Sequence, residues 1–121
     1  MTASPHPTEI RIRRAARNLE VDFNDGSRVS LPAELLRVES PSAEVQGHAP
    51  DQKQTVAGKR AVNITAVEPV GNYAVRIRFT DGHDTGIYTW VLLHQLGREQ
   101  DARWTAYMAA LAEKGLSRDP S

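Results

Sequence analysis

The sequence predicts an α+β domain: a mainly antiparallel sheet built from two β-hairpins plus additional strands, with C-terminal helices packed on or beside it. Three observations point there. Apolar and polar residues alternate in Val21-Asp22-Phe23 and in Ile77-Arg78-Phe79, as they do in half-buried strands. Each run leads into an Asp-Gly pair, Asp25-Gly26 and Asp81-Gly82, which readily supplies the positive φ of a tight hairpin. After Thr89 the apolar spacing turns helical. Strands first and helices last favour α+β over βαβ winding.

The elements follow in order. Residues 1–8 are short, polar and Pro-rich, and are expected to be a disordered leader; the folded domain is expected over 9–116. Glu9–Arg14 reads as a strand with Ile10 and Ile12 on one face. The first hairpin joins Leu19–Phe23 to Arg28–Leu31. Pro32–Arg37 reads as one helical turn, with Pro at the start, where a missing N–H costs least. Val38–Ser40 reads as a short strand. Residues 44–60 lack periodicity and read as a long flexible loop. Ala61–Val70 reads as a strand with Val62, Ile64, Ala66 and Glu68 on one face and Val67 on the other, ended by Pro69 and Gly71. The second hairpin joins Tyr73–Phe79 to Asp84–Ile87. Thr89–Leu96 reads as a helix closed by Gly97. Arg98–Lys114 reads as a second helix, with Trp104, Tyr107, Met108 and Leu111 as its apolar stripe. Gly115 stops it, Leu116 folds back on it, and 117–121 are expected to be disordered. The two Asp-Gly segments form a short internal echo, explained equally by duplication or by shared hairpin chemistry.

Composition narrows the function. A chain of 121 residues suits one domain. Its 15 basic and 15 acidic residues cancel, which argues against bulk electrostatic binding of nucleic acid or an anionic membrane. Arg11, Arg13, Arg14 and Arg17 still form a local basic cluster: a surface-binding patch, or the solvated face of a strand. The absence of cysteine excludes disulfides, thiolate catalysis and Cys-type metal sites within this chain. No apolar run approaches a membrane span and the leader lacks an apolar signal region, so a cytoplasmic protein is expected.

Three runs together carry a family resemblance: Leu19-Glu20-Val21-Asp22-Phe23-Asn24-Asp25-Gly26, then Leu31-Pro32-Ala33-Glu34-Leu35-Leu36-Arg37, then Phe79 to Trp90. In their order and spacing they resemble the N-terminal domain of gamma-butyrobetaine hydroxylase-like proteins, over about Ile10 to Gly115. Leu36-Arg37-Val38-Glu39-Ser40-Pro41-Ser42-Ala43-Glu44-Val45 looks like the equivalent run of short stand-alone bacterial members. The resemblance implies a structural zinc site made by a Cys-x-Cys-x-x-Cys run and a His after an Asp-Gly turn. Here the cysteine positions fall on Ser40, Ser42 and Val45, and only His83 remains. Zinc belongs to the cysteine-containing relatives; no cofactor is expected here. In long relatives the domain precedes an iron- and 2-oxoglutarate-dependent hydroxylase domain, whose iron site lies in that other domain. Similar domains also occur fused to P-loop ATPases that carry iron–sulfur clusters.

The remaining candidates are few. His83 is either a weak metal contact, joined by Glu44, Asp84 or His48, or a turn histidine bonded within its own hairpin. If no metal is held, His83→Ala is expected to cost little. Ser40 and Ser42 are candidate nucleophiles without a strained elbow around them, or turn serines beside Pro41. Gly58-Lys59 ends like a phosphate loop, but Lys53 stands where the first Gly is required. Asp25 and Asp81 are explained by their turns, and His94 by packing beside apolar helix residues. The expected function is a non-catalytic accessory or protein-interaction domain, with an iron–sulfur carrier P-loop ATPase or a second copy as partner. The alternative is a metal-binding protein or metal-dependent enzyme using His83 with oxygen ligands.

Overall fold

The computed structural model describes residues 4–120. Its elements are β1 (Pro7–Arg13), β2 (Asn18–Phe23), β3 (Arg28–Pro32), α1 (Ala33–Val38), α2 (Ala43–Gln46), a 3-10 turn (Pro50–Gln52), β4 (Ile64–Val70), β5 (Ala74–Phe79), β6 (Ile87–Thr89), α3 (Trp90–Arg98) and α4 (Gln100–Glu113). The fold is α+β, but the strands make two antiparallel sheets rather than one, ordered β1-β2-β3 and β4-β5-β6. Leu19, Val21, Phe23 and Leu31 of the first sheet share one core with Ile64, Val75, Ile77, Phe79 and Tyr88 of the second. Leu35 and Leu36 of α1 and Leu93 and Leu96 of α3 complete it. Burying each such side chain stabilises by about 1.5–3 kcal/mol before chain entropy is charged.

The echo seen in the sequence is also present in the turns. In each copy the Phe N–H donates to the carbonyl four residues on, Phe23 to Ser27 at 2.9 Å and Phe79 to His83 at 3.0 Å. In each the Gly N–H donates back to the Phe carbonyl, at 3.0 and 3.1 Å. In each the Asp Oδ1 accepts the N–H two residues on, Ser27 at 2.9 Å and His83 at 3.1 Å. Only the glycines take positive φ, +85° at Gly26 and +90° at Gly82. This is a type I turn closed by a glycine bulge, not the two-residue turn that Asp-Gly also serves. The second hairpin is longer than expected, because β6 begins at Ile87 and pairs Arg76 with Ile87, Val75 with Tyr88 and Ala74 with Thr89.

Several expectations are corrected. The strand begins at Ile64, not Ala61, and the register shifts between Ile64 and Ala66. Ile64 opposes Phe79 and Val67 opposes Ile77, so the extra residue Thr65 brings Ile64 and Val67 onto the same core face. A one-residue bulge flips every later side chain. Val38 lies in α1 and Glu39 is its C-cap, so 38–40 is no strand. Gly97 does not end α3; an added Cβ there would lie 2.2 Å from Val29 Cγ1, so it is the point where helix and β3 touch.

The leader and the tail are also seated. Pro7 and Thr8 belong to β1, and His6 and Asn24 exchange hydrogen bonds; residues 1–3 lie outside the described residues. Ser117 to Pro120 lies along residues 58–60, with Ser121 outside the described residues. The 44–60 segment holds α2 and the 3-10 turn, and is tied to α4 by Tyr107 Oη donating to the Val56 carbonyl at 2.6 Å. Tyr107, Leu111 and Val38 make a small second cluster with Val56, Ala57, Trp104 and Met108 around them. Gly115 (φ +65°) and Leu116 close α4, with the Leu116 N–H on the Leu111 carbonyl at 2.8 Å, a Schellman end.

Candidate functional site: a serine–histidine corner

The corner is assembled from three short pieces. Helix α1 ends at Val38 and hands the chain to Ser40; Ser42 stands at the N-cap position of α2, and Val45 lies inside α2. His83 is placed by the Asp81-Gly82 turn, whose backbone bonds fix it against the end of β5. Its side chain does not stay within its own hairpin. Nε2 lies 2.8 Å from Ser40 Oγ and 3.4 Å from Ser42 Oγ, and the two hydroxyl oxygens are 3.2 Å apart. Nδ1 faces Glu44 Oε2 at 3.6 Å, and the other oxygen of Glu44 accepts from Thr85 Oγ1 at 2.9 Å. That carboxylate favours the proton on Nδ1, which leaves Nε2 to accept from Ser40. Three of the four positions, Ser40, Ser42 and His83, thus meet, and Val45 is buried in the adjoining helix.

The corner is closed. Ser40 is fully buried and the His83 side chain is 3% exposed. Behind Ser40 lies Gly86, where an added Cβ would come 2.6 Å from Ser40 Oγ. Tyr88 Oη donates to the Leu36 carbonyl at 2.5 Å, and burial raises its hydroxyl far above its ordinary value. Beside the corner, Asp81 Oδ2 takes both Arg37 Nε and Lys59 Nζ at 2.7 Å. Burial alone would raise the Asp81 carboxyl, but these two cations and the His83 N–H hold it at about 2. His83 is lowered from its ordinary value, by burial first and then by the Arg37 charge, against the opposing pull of Glu44, Asp81 and Asp84.

Hydroxyl, imidazole and carboxylate stand in the row used by hydrolytic triads. The attacking oxygen, however, is sealed, and the Ser42 N–H is spent on Ser40 Oγ itself at 3.3 Å rather than aimed at a developing oxyanion. Nor do the residues fit zinc. Two hydroxyls, one imidazole and an apolar Val are a poor donor set for an ion held by thiolate, imidazole or carboxylate. Glu44 lies on the wrong nitrogen of His83, and Asp84 is paired with Arg78 at 3.2 Å. Among the described residues no three His, Asp or Glu side chains gather around a common point.

The basic cluster is dispersed into ion pairs. Arg11 bonds Glu9, Glu20 and Asp22, each at 3.0 Å; Arg13 bonds Glu20 and Arg28 bonds Asp22. Arg14 turns to the Thr65 carbonyl at 3.0 Å, and Arg17 is exposed at a turn with φ +55°. The second sheet repeats the device, with Arg76 and Arg78 on Glu68 and Arg78 also on Asp84. Each ladder is neutral, as cross-strand charge pairing favours. His94 pairs with Asp25 at 3.0 Å and stands edge-on to Phe23.

Against known proteins, the family model described as gamma-butyrobetaine hydroxylase-like, N-terminal, matches residues 10–94. The chain belongs to this family. Two proteins solved in solution by NMR share 42% and 46% identity with it, each with a TM-score of 0.84. They cover 98% and 99% of this chain, which covers 94% and 92% of theirs. A crystal structure from Acidithiobacillus ferrooxidans, a protein of unknown function placed in the DUF971 family, shares 44% identity with a TM-score of 0.65. It covers 76% of this chain, which covers 92% of it. No curated protein matches. In this gamma-butyrobetaine hydroxylase-like domain, no described helix is long and apolar enough to cross a membrane. Sequence reasoning missed Arg37, Lys59 and Thr85 as members of the corner. Only Asp81 in its turn hinted at them, as a carboxylate that two cations can share.

Proposed function

We propose that this chain is a non-catalytic accessory domain that works by binding another protein, and that it serves the assembly or delivery of iron–sulfur clusters. One observation supports the first part above the others. The position where cysteine-containing relatives hold zinc is here a hydrogen-bonded knot around a fully buried Ser40. A metal-dependent reading through His83 finds oxygen donors on neither side of Nε2 except neutral hydroxyls. What remains for function is surface. Its two charge ladders are internally neutral, which disfavours nucleic acid, and it exposes Tyr73, Ile87 and Val91. The cluster-assembly part rests on the family's resemblance to domains fused to iron–sulfur carrier P-loop ATPases, which makes a separate ATPase of that class the partner in this reading. Localisation in the cytoplasm belongs to the same proposal.

The test is affinity capture of the tagged chain from its native host with quantitative mass spectrometry, alongside elemental analysis of untagged protein. Reproducible enrichment of a P-loop ATPase, with less than about a tenth of an equivalent of zinc or iron and no thermal shift on adding either, supports the reading. A measured turnover with no recovered partner sinks it.

A further inference from the structure

The C-terminal tail is bound to the body by the means one protein uses to hold another's peptide. Arg118 donates two bonds to Glu34, Nε to Oε2 at 2.9 Å and Nη2 to Oε1 at 2.7 Å. Its guanidinium carbon lies 5.0 Å from the Trp104 ring centre. The main chain is read as well. The Gly58 N–H donates to the Ser117 carbonyl at 2.9 Å and the Arg60 N–H to the Arg118 carbonyl at 3.0 Å. Arg60 also pairs with Asp119, and Pro120 lies beside Gly58 (φ +73°). A bidentate carboxylate, an aromatic platform and backbone donors two residues apart make up an arginine-reading groove.

The groove extends beyond what Arg118 fills. A cavity of about 430 Å³ continues along Pro32, Leu35, Gln100, Asp101, Trp104 and Thr105. The Glu34 side chain is 7% exposed, so it cannot be left without a cation. The tail brings no buried apolar side chain: Ser117, Asp119 and Pro120 are exposed, and Leu116 is 42% exposed. Apart from Arg118, then, the described residues of the tail are held by surface bonds, and Gly115 (φ +65°) turns the chain out of α4 just before them. Trp104 and Arg118 lie beyond the family match, which ends at residue 94.

We propose that this groove is a docking site for an extended, arginine-bearing segment of a partner protein, and that the chain's own tail occupies it as a competitor. The inference rests on the reading of the chain as an interaction domain and names the chemistry of the segment it takes. The partner's arginine replaces Arg118 on Glu34 and Trp104, and its backbone replaces Ser117 and Arg118 on Gly58 and Arg60. The tethered tail acts at an effective concentration of about millimolar, so a partner must exceed that or bring further contacts along the cavity.

The experiment uses full-length protein and a synthetic peptide, Gly-Leu-Ser-Arg-Asp-Pro-Ser, followed through the Trp104 indole signal in NMR. The Arg118→Ala protein is expected to bind it at least about tenfold tighter than wild type, because its own tail no longer competes. A peptide with Ala in place of Arg, or a protein that also carries Glu34→Gln, is expected to lose at least about tenfold. Should Arg118→Ala unfold, the wild-type chain provides the same reading at higher peptide concentration. No shift of Trp104 in folded protein at about 5 mM peptide, or equal binding of both peptides, overturns the proposal. A wild-type dimer that disappears with Arg118→Ala also overturns it, in favour of tail exchange between copies. A captured partner with an unresponsive groove overturns this inference alone and leaves the interaction reading intact.

Discussion

His83 carries more of this molecule than its sequence suggests. Read as a lone turn histidine, its loss would cost little. In the structure its Nε2 lies 2.8 Å from Ser40 Oγ and 3.4 Å from Ser42 Oγ, all three residues buried, so in His83→Ala the two hydroxyls keep only each other and one O–H donor is left unpaired. We expect a loss of about 1–3 kcal/mol in urea unfolding, because a buried polar group left unpaired costs its desolvation. A change under about 0.5 kcal/mol would mean that water takes its place without penalty. The distances also say why metal is absent from the reading. Thiolates and an imidazole around tetrahedral zinc stand about 3.5–3.8 Å apart, from their bond lengths. Here the oxygens and nitrogen are drawn in to 2.8, 3.2 and 3.4 Å, hydrogen-bond spacing. The triple variant Ser40→Cys, Ser42→Cys, Val45→Cys is expected to take up about one equivalent of zinc, seen by elemental analysis. Failure to bind would mean that the corner no longer preserves the relatives' geometry.

At the scale of elements, the two Phe-x-Asp-Gly turns do most to fix the architecture. Both glycines need positive φ, and an added Cβ at either meets nothing within 4 Å. Gly82→Val therefore tests backbone strain alone, with an expected cost of about 1–3 kcal/mol by equilibrium denaturation. A neutral result would show that the turn relaxes to another type. Gly97 tests the opposite case, space rather than φ. Gly97→Ala drives a methyl into Val29 and should cost about 1–3 kcal/mol, while Val29→Ala in the same chain should recover part of it. Strict additivity of the two would break the claim of contact. These glycines also mark how far the sequence can be read. Gly26 and Gly82 were legible because an Asp-Gly pair after an alternating run signals a turn from local chemistry. Gly97 reads as a helix stop in the sequence because its actual reason, Val29, lies 68 positions earlier in the chain. The bulge at Thr65 is illegible for the same kind of reason: register is set by the partner strand, so simple alternation puts Val67 on the wrong face. In the corner, the resemblance sets Ser40, Ser42, Val45 and His83 at the relatives' ligand positions, but neither reading of His83 includes its bond to Ser40, and that bond, like Arg37 and Lys59 on Asp81, required the folded chain.

Across the whole molecule, the formal charge is zero, yet stability should depend on pH in two separate windows. Asp22, Asp25 and Asp81 are each held at about 2, Asp22 by Arg11 and Arg28, Asp25 by Ser27 and His94, and Asp81 by Lys59 and Arg37 against its burial. A carboxylate lowered in the folded state stabilises above its unfolded value of about 3.9, and that contribution is lost as pH falls towards 2. His83 works in the same direction higher up. Its folded value lies below its ordinary one because the neutral ring is buried, so the unfolded chain binds the extra proton first. Stability from His83 is therefore full above about pH 6.5 and declines as pH falls below it, down to the folded value. A melting-temperature profile from pH 8 to 2 should show a shallow decline beginning near 6.5 and a steeper one below about 4. His83→Gln should flatten the first, and Asp81→Asn should reduce the second. A wild-type profile level from pH 8 to 5 would mean that His83 protonates inside the fold as easily as outside it, and the closed corner on which the accessory reading depends would be open.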